Sequence, residues 1–226
     1  MRTGYPPAMR WLYLHGFASG PDSTKGVRLA EHLKVAHGIH LERLNLRVPN
    51  MEHLRASSII AHVETVLGAP SHVPTVLIGS SFGGWIGMRV AERNENIIGL
   101  VLLAPAIRLA ARWRHTMPET IEAWAQSGWM EVDDHVTGGK TQVEFGFFED
   151  VERIEERGQP DLYIPTLIVH GRHDDVVAIE GSRDWTETHT PVHLVEVDDG
   201  HQLSATLPTI CDEIDSFILQ NELLEP

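Results

Sequence analysis

The sequence IGSSFGG, residues 78–84, follows an apolar run and precedes a segment with helical character. The run TVLIG (75–79) predicts a buried strand, and WIGMRVAERN (85–94) predicts a helix. Glycines between a strand and a helix let the backbone turn sharply. The stretch therefore predicts a strand, a tight turn and a helix in direct succession, as in α/β folds.

A G-x-S-x-G pattern lies inside this turn, with Ser81 at its centre. Gly79 and Gly83 lie two residues to either side of Ser81, an arrangement that lifts the central serine into a strained, exposed position. A helix that begins directly after Ser81 also points backbone N–H groups at an oxyanion formed there. Ser81 is therefore the predicted nucleophile and Ser80 a supporting residue. The alternative is a glycine and serine turn without chemistry.

Six short β-rich runs alternate with helical patterns along the chain. Strands separated by helices imply right-handed crossovers and a mostly parallel sheet. The runs 97–104 and 166–169 are almost wholly apolar, as expected of strands covered by helices on both faces. The predicted strands are RWLYL (10–14), IHLERL (39–44), PTVLIG (74–79), IIGLVLLA (97–104), PTLIVHG (165–171) and VHLVEV (192–197).

The stretch between residues 105 and 165 departs from this alternation. It carries three tryptophans, amphipathic helical pieces and a Gly-Gly turn where one crossover helix would suffice. We interpret residues 106–160 as a helical insertion that forms a lid. No linker rich in proline, glycine and serine separates two units, so residues 1–226 are predicted to form a single α/β domain of about six mostly parallel strands flanked by helices.

Two further polar residues stand just past the ends of the last two predicted strands. Asp174 lies three residues past Gly171 in VHGRHDDVV, and His201 lies in VEVDDGHQLS. A serine hydroxyl needs a histidine to accept its proton and a carboxylate to orient that histidine. Parallel strands gather their C-terminal loops at one edge of the sheet, so Ser81, Asp174 and His201 are predicted to meet there. Asp175 is the alternative acid, which the spacing disfavours.

Charge and composition narrow the classes of partner. The formal charge of −14 at pH 7 repels phosphate backbones and anionic lipid surfaces, so we expect no nucleic-acid partner and no membrane insertion. Cys211 is the single cysteine, which excludes an intramolecular disulfide and a multi-cysteine metal site. Residues 1–16 contain no apolar segment long enough for a secretory signal, so a cytoplasmic location is predicted.

The chain resembles the α/β-hydrolase superfamily over essentially its full length. The resemblance rests on LYLHGF (12–17), GSSFGG (79–84), HGRHDDVV (170–177) and DDGHQL (198–203), which occur in the order of that superfamily. The opening YLHGFASGPDSTKG is also similar to that of small bacterial esterases and of the smaller depalmitoylating serine hydrolases. The resemblance implies the catalytic order serine, aspartate, histidine and a compact sheet of six parallel strands.

The same resemblance assigns His15, Gly16 and Phe17 to an oxyanion-hole loop. It implies that the backbone N–H groups of Phe17 and Phe82 bind the developing oxyanion, each such donor typically contributing about 10²–10³ in rate. His15 and Gly16 are then supporting residues, together with the two glycines of the G-x-S-x-G pattern. We expect His15 to hydrogen-bond nearby loops and hold this geometry.

Aromatic residues of the insertion are candidates for an acyl-binding pocket above Ser81. The alternative is that these side chains only pack the insertion against the sheet, since apolar residues at helical spacing usually pack. The candidates are Trp113, Trp124, Trp129, Phe145, Phe147 and Phe148.

The predicted activity is hydrolysis of a carboxylic ester through an acyl-enzyme on Ser81, a carboxylesterase reaction. Thioesters are an alternative, because the same acyl-enzyme serves both leaving groups. Hydrolysis of carbon–carbon bonds and a non-catalytic, ligand-binding role are further alternatives on the same fold. No histidines stand at H-E-x-x-H or similar ligand spacing, so no catalytic metal and no cofactor are predicted. The expected partner is a small-molecule ester or thioester.

Overall fold

The computed structural model describes residues 9–68 and 73–224. The expectation about a secretory signal falls partly on residues 1–8, which lie outside the described residues. The strands are β1 (Arg10–Leu14), β2 (Leu41–Leu44), β3 (Thr75–Ser80), β4 (Ile97–Leu103), β5 (Trp129–Asp134), β6 (Gly139–Glu144), β7 (Thr166–Gly171) and β8 (Val192–Val197). The helices are α1 (Thr24–His37), α2 (Ala56–Leu67), α3 (Phe82–Ala91), α4 (Leu109–Thr116), α5 (Pro118–Ser127), α6 (Gly146–Glu155), α7 (Glu180–Thr188) and α8 (Leu207–Gln220).

One six-stranded sheet forms the centre of the molecule, in the order β2-β1-β3-β4-β7-β8. Each neighbouring pair in this sheet is parallel. Its strands are the six that the sequence predicts, and the expected α/β-hydrolase architecture is confirmed. Because the strands are parallel, the loops that follow β1, β3, β7 and β8 all leave from the same edge.

Helices cover both faces of the sheet. Leu12 and Leu14 of β1 pack into one core cluster, to which α2, α3 and α6 contribute. Trp11 and Tyr13 of the same strand pack into a second cluster with residues of α1 and α8. Since neighbouring side chains of a strand point to opposite faces, both faces must be apolar, and this explains the continuous apolar runs in the sequence.

Helix α1 begins and ends at the residues that its sequence favours. The Oγ of Ser23 accepts a hydrogen bond of 3.3 Å from the Gly26 N–H and so caps the N-terminus. Gly38, with φ of 69°, ends the helix and donates its N–H to carbonyls of the last turn. The capped first turn of α1 lies at the sheet edge where the loops after β1 and β8 meet, because Lys25 contacts the backbone of His201.

The segment between β4 and β7 contains α4, α5, β5, β6 and α6. The insertion contains three helices, as the prediction of a helical insertion implies, and also an antiparallel hairpin of β5 and β6 that was not predicted. Along β5, exposed residues alternate with less exposed ones, and the sequence WMEVDD shows the same two-residue alternation in part. The hairpin turns near the Gly138-Gly139 pair. Nη1 and Nη2 of Arg47 donate to the carboxylate of Asp134, at 2.8 and 2.7 Å. These two bonds fix the hairpin to the loop after β2.

In the described part of the chain, no helix combines the length and the apolar character needed to cross a lipid bilayer.

Candidate active site

Ser81 occupies the turn between β3 and α3 in a conformation that L-amino acids rarely adopt. Its φ is 52° and its ψ is −116°, a conformation that typically costs about 1–3 kcal/mol. The surrounding backbone holds it in place, because its N–H donates to the Leu103 carbonyl at 2.9 Å and its carbonyl accepts from the Ala106 N–H at 3.1 Å. The turn therefore presents a rigidly placed hydroxyl at the C-terminal edge of the sheet.

Gly79 and Gly83 are required by close backbone packing around this turn. A Cβ atom at Gly83 would lie 2.1 Å from the carbonyl oxygen of Leu14 and 2.5 Å from that of His15. A Cβ atom at Gly79 would lie 2.6 Å from the carbonyl oxygen of Gly83. The glycines of the pattern thus let the N-terminus of α3 pack directly on the ends of β1 and β3.

The imidazole of His201 connects Ser81 to Asp174. Its Nδ1 lies 2.7 Å from Asp174 Oδ2, and its Nε2 lies 3.0 Å from Ser81 Oγ. A carboxylate only accepts hydrogen bonds, so Nδ1 carries the hydrogen and Nε2 is free to accept the serine proton. Asp175, the alternative acid, is exposed to solvent. The structure brings the three predicted residues into one hydrogen-bonded row.

The carboxylate of Asp174 is fully buried and strongly hydrogen-bonded. Its Oδ1 accepts the Val177 N–H at 2.6 Å. Burial by itself raises the pKa of this carboxyl, but hydrogen bonds from His170, His201 and the Val177 N–H outweigh that effect and hold the pKa well below its usual range. Asp174 is therefore ionised at neutral pH and stabilises a positive charge on His201.

A second histidine, His170, contacts the same carboxylate. Its Nε2 lies 3.2 Å from Asp174 Oδ2 and 2.9 Å from the Val177 carbonyl oxygen, while its Nδ1 lies 2.8 Å from Ser182 Oγ. Because the carbonyl only accepts, Nε2 carries the hydrogen and Nδ1 accepts from the Ser182 hydroxyl. Sequence analysis did not assign this contact. The available signal was the spacing of four residues between His170 and Asp174 across the end of β7.

The N–H groups of Phe17 and Phe82 lie beside the cavity that contains Ser81. Within residues 9–68 and 73–224, neither N–H has a hydrogen-bond acceptor. Phe82 is the first residue of α3, where helix geometry leaves the N–H free. A Cβ atom at Gly16 would lie 3.6 Å from Ser81 Cβ, so the loop that carries Phe17 lies against the nucleophile. Two free donors thus stand where the sequence predicts an oxyanion hole.

His15 fixes the loop that carries Phe17. Its Nε2 accepts the Leu46 N–H at 3.0 Å, so its Nδ1 carries the hydrogen and donates to the Gly16 carbonyl at 2.9 Å. Burial lowers the pKa of His15, and the nearby charge of Arg47 lowers it further. The imidazole is therefore a neutral bridge between the loops after β1 and β2.

A cavity of about 610 Å³ opens beside Ser81 and His201. Phe17, Phe82 and Trp113 form part of its apolar wall. Polar residues of the loops after β1 and β8, including Gln202, also line it. The cavity is therefore lined by both apolar and polar side chains.

Of the six aromatic residues predicted to form the pocket, Trp113 lines this cavity and the other five do not. Trp124, Phe147 and Phe148 are buried in the core, and Phe147 packs behind the wall with its ring centroid 5.3 Å from that of Phe17. Phe145 stacks on Phe148 in the same cluster. Trp129 is 39% exposed and contacts His53. The buried aromatic residues on α5 and α6 therefore pack the insertion against the core, whereas Trp129 lies partly exposed on β5.

One group of described residues could offer three ligand atoms to a metal ion, namely His32, His37 and Asp215. The Nε2 atoms of the two histidines lie 2.8 and 2.7 Å from Asp215 Oδ1. The group joins α1 to α8, away from the residues that line the cavity at Ser81. Its hydrogen bonds pair these atoms with one another, so the contact holds the two helices together without needing an ion.

The parallel sheet, the strained serine after β3 and the paired aspartate and histidine after β7 and β8 define an α/β-hydrolase fold. Residues 10–218 match the pattern of Uncharacterised protein family UPF0227, and the chain belongs to that family.

Curated proteins and solved structures are similar to this chain. By sequence, the chain is similar to Palmitoyl-protein thioesterase ABHD10, mitochondrial, of Mus musculus, with 23% identity over 74% of this chain and 59% of the mouse protein's length. The solved structure of Alpha/beta hydrolase domain-containing protein 10 from mouse superposes with a TM-score of 0.76 at 19% identity and covers 96% of this chain and 92% of that chain. Ferulic acid-bound Est1E from Butyrivibrio proteoclasticus superposes with a TM-score of 0.75 at 18% identity, covering 98% of this chain and 92% of that one. At these identities the likeness establishes the fold.

Proposed function

We propose that this chain is a serine hydrolase of carboxylic esters. The observation that carries the proposal is the position of the His201 imidazole, which lies 3.0 Å from Ser81 Oγ and 2.7 Å from the buried Asp174 carboxylate. A serine hydroxyl is a weak nucleophile until a base in direct contact can take its proton. The same row of contacts supplies the base and the carboxylate that stabilises it.

The proposed mechanism has an acylation and a deacylation step, and His201 takes up and returns a proton in each. Ser81 Oγ attacks the acyl carbon while His201 Nε2 takes the hydroxyl proton, and the carbonyl oxygen becomes an oxyanion that accepts from the Phe17 and Phe82 N–H groups. The bond to the leaving group breaks, and His201 returns the proton to the departing oxygen. Water then attacks the acyl-enzyme while His201 takes a proton from it, and His201 returns this proton to Ser81 Oγ as the bond to the acyl carbon breaks and the free acid leaves.

Thioesters form the second candidate class of substrate. A specific observation favours them, since the curated relative to which the chain is similar carries the name of a palmitoyl-protein thioesterase. The acyl-enzyme is the same in both reactions, and a thiolate leaves more readily than an alkoxide. Esters and thioesters are therefore distinguished by the walls of the cavity rather than by the catalytic row.

The insertion is proposed to act as a cover over this cavity. Leu109 and Trp113 of α4 and His135 of the hairpin line it, and the His135 N–H donates to the Ala18 carbonyl at 3.0 Å. Glu155 of α6 holds α4 in position by accepting the Ala110 N–H at 3.1 Å. The hairpin is thus tied to the loop after β1, and α4 is tied to α6 within the insertion.

The proposal is tested by hydrolysis of 4-nitrophenyl esters from acetate to palmitate and of matched N-acetylcysteamine thioesters, with the wild type and Ser81→Ala. We expect turnover that falls by about 10⁶ in the variant, since loss of the nucleophile disables the whole row. The acyl length that gives the highest kcat/KM measures the apolar part of the cavity. Binding of esters without turnover by the wild type would contradict the proposal and favour a ligand-binding role.

A further inference from the structure

Two basic side chains line the cavity at Ser81. Arg112 belongs to α4 in the insertion, and Lys25 belongs to the first turn of α1. Asp22 is the carboxylate among the described residues that line the cavity, but its side chain is 86% exposed and pairs with Arg43 at 3.2 Å. The charge of Asp174, which does not line the cavity, counteracts the lowering of the pKa that burial causes at both basic side chains.

Arg112 has no ionic partner among residues 9–68 and 73–224. Its Nε atom is buried without a hydrogen bond, and its guanidinium forms no salt bridge with any described carboxylate. Arg114, two residues further along the same helix, instead makes a salt bridge to Glu152 outside the cavity. Burying a cationic donor without a partner costs free energy, and such groups in a cleft are candidates for contact with a ligand.

Lys25 adds a second positive charge beside the catalytic row. Its side chain is buried, and its Nζ donates to the His201 carbonyl at 3.4 Å, the one hydrogen bond among the described residues for a group with three donors. Burial lowers the pKa of Lys25 to about 8, against the charges of Asp174 and Asp199, which favour the ammonium form. At pH 7 most molecules therefore keep this charge.

We propose that the cavity accepts esters or thioesters that carry a carboxylate besides the bond to be cleaved, and that the guanidinium of Arg112 binds this carboxylate while Lys25 contributes positive potential. This inference rests on the proposed function of Ser81. A guanidinium offers parallel N–H donors that match the two oxygens of a carboxylate. The carboxylate would pair with the terminal guanidinium nitrogens of Arg112, which make no hydrogen bond to any described residue.

The charge of the whole chain strengthens the argument. With a formal charge of −14 the protein repels anions in general, so an anionic substrate needs a local positive potential to bind. Arg47 and Arg114, which do not line the cavity, are already paired with Asp134 and Glu152. Arg112 and Lys25 provide that local potential at the nucleophile.

The test compares neutral and anionic esters in two arms. For a carboxylate on the acyl side, the pair is 4-nitrophenyl hexanoate and 4-nitrophenyl hydrogen adipate. For a carboxylate on the leaving group, the pair is 4-nitrophenyl butyrate and 3-carboxy-4-nitrophenyl butyrate. Each kcat/KM is corrected for uncatalysed hydrolysis, and the measured quantity is the ratio of the anionic to the neutral substrate. Comparing this ratio between protein variants cancels the intrinsic reactivity of each ester.

We expect Arg112→Met to lower this ratio at least tenfold in one arm, and Arg112→Lys to lower it less. The matched control Arg114→Gln removes an equal charge from the same helix outside the cavity and should keep the wild-type ratio. Arg112→Gln replaces the methionine variant if that protein does not fold. Equal ratios for wild type and Arg112 variants in both arms would overturn the inference while leaving ester hydrolysis intact. Absence of any turnover of the neutral esters would instead reject the proposed function.

Discussion

The imidazole of His170 lies against the carboxylate of Asp174, with Nε2 3.2 Å from Oδ2, the same oxygen that His201 Nδ1 contacts at 2.7 Å. His170 is fully buried, and its other nitrogen is occupied by Ser182. The Oδ2 atom of Asp174 therefore lies within 3.2 Å of ring nitrogens from two histidines. A carboxylate that is fixed in this way orients His201 toward Ser81 without rotating.

Replacing His170 should weaken catalysis without removing any reacting group. His170→Phe deletes a hydrogen bond to a charged group, typically worth about 1.5–3 kcal/mol, so kcat/KM for a 4-nitrophenyl ester should fall about 10- to 100-fold. His170→Gln, whose amide can donate, should recover part of the loss. The exposed neighbour His173, which pairs with Asp198, provides the control His173→Gln with wild-type activity. Full activity in His170→Phe would contradict a positioning role.

Substitution by asparagine should lower kcat strongly at Asp174 and hardly at all at Asp175. Asp174→Asn keeps the shape of the side chain but offers His201 the wrong hydrogen-bonding partner, so kcat should fall by about 10⁴. Asp175→Asn alters an exposed side chain and should stay within about twofold of wild type. Steady-state kinetics on one ester decides between them. A larger loss in the Asp175 variant would mean that the acid has been assigned to the wrong residue.

The ionisation of Asp174 also predicts a pH dependence of stability. Its folded-state pKa lies below the ordinary value of 3.8, so its contribution to stability is present above that value and is lost as the pH falls below it. The stability gap between wild type and Asp174→Asn should therefore be widest near neutral pH and narrow as the pH falls. Urea unfolding of both proteins over an acid pH series measures this gap, and a gap independent of pH would argue against the lowered pKa.

Gly83 should not tolerate a side chain, whereas Gly87 on the same helix should. Gly83→Ala places a Cβ atom 2.1 Å from the Leu14 carbonyl oxygen, and we expect destabilisation of at least about 3 kcal/mol or failure to fold. Gly87→Ala meets its nearest atom at 3.6 Å, an ordinary contact, and gains helix propensity. Its urea midpoint should equal or exceed that of wild type. Comparable destabilisation of both variants would refute the packing of α3 on β1.

His15 should make the protein less stable as the pH falls through the histidine range. Burial lowers its pKa below 6.5, so from about that pH downward the unfolded chain takes up a proton that folded His15 does not. Its contribution to stability is therefore complete above this range and declines below it, by at most about 1.4 kcal/mol per pH unit. His15→Gln should flatten the slope of the unfolding free energy between about pH 7.5 and about pH 5.5. An unchanged slope would show that the pKa of His15 is the same in the folded and the unfolded chain.

The sheet and the catalytic row could be predicted because each depends on local pattern and chain order. The run 97–104 is apolar enough to identify a central strand, and β4 covers 97–103. Parallel strands then bring their C-terminal loops together, so Ser81, Asp174 and His201 could be placed at one edge without distances. The glycines of the pattern follow from the same turn.

The cavity could not be predicted in this way, because its walls depend on how the insertion packs. Trp113 and Trp124 lie on successive helices, yet Trp113 lines the cavity while Trp124 is buried and donates to the Val143 carbonyl. The hairpin was missed because β6 is mostly polar and β5 is half polar, so neither strand shows a continuous apolar run. The unpaired state of Arg112 is a property of long-range contacts and leaves no mark in the sequence.

The most direct measurement of the nucleophile is the mass of the peptide that a fluorophosphonate probe modifies. The probe forms a covalent bond with a serine only when that serine is activated, and the tryptic peptide that contains residues 80 and 81 can be fragmented to distinguish them. We predict one adduct per chain on Ser81, retained in Ser80→Ala and absent in Ser81→Ala and His201→Ala. An adduct on any other residue, or none on the folded wild-type protein, would contradict the assignment of Ser81 as the nucleophile.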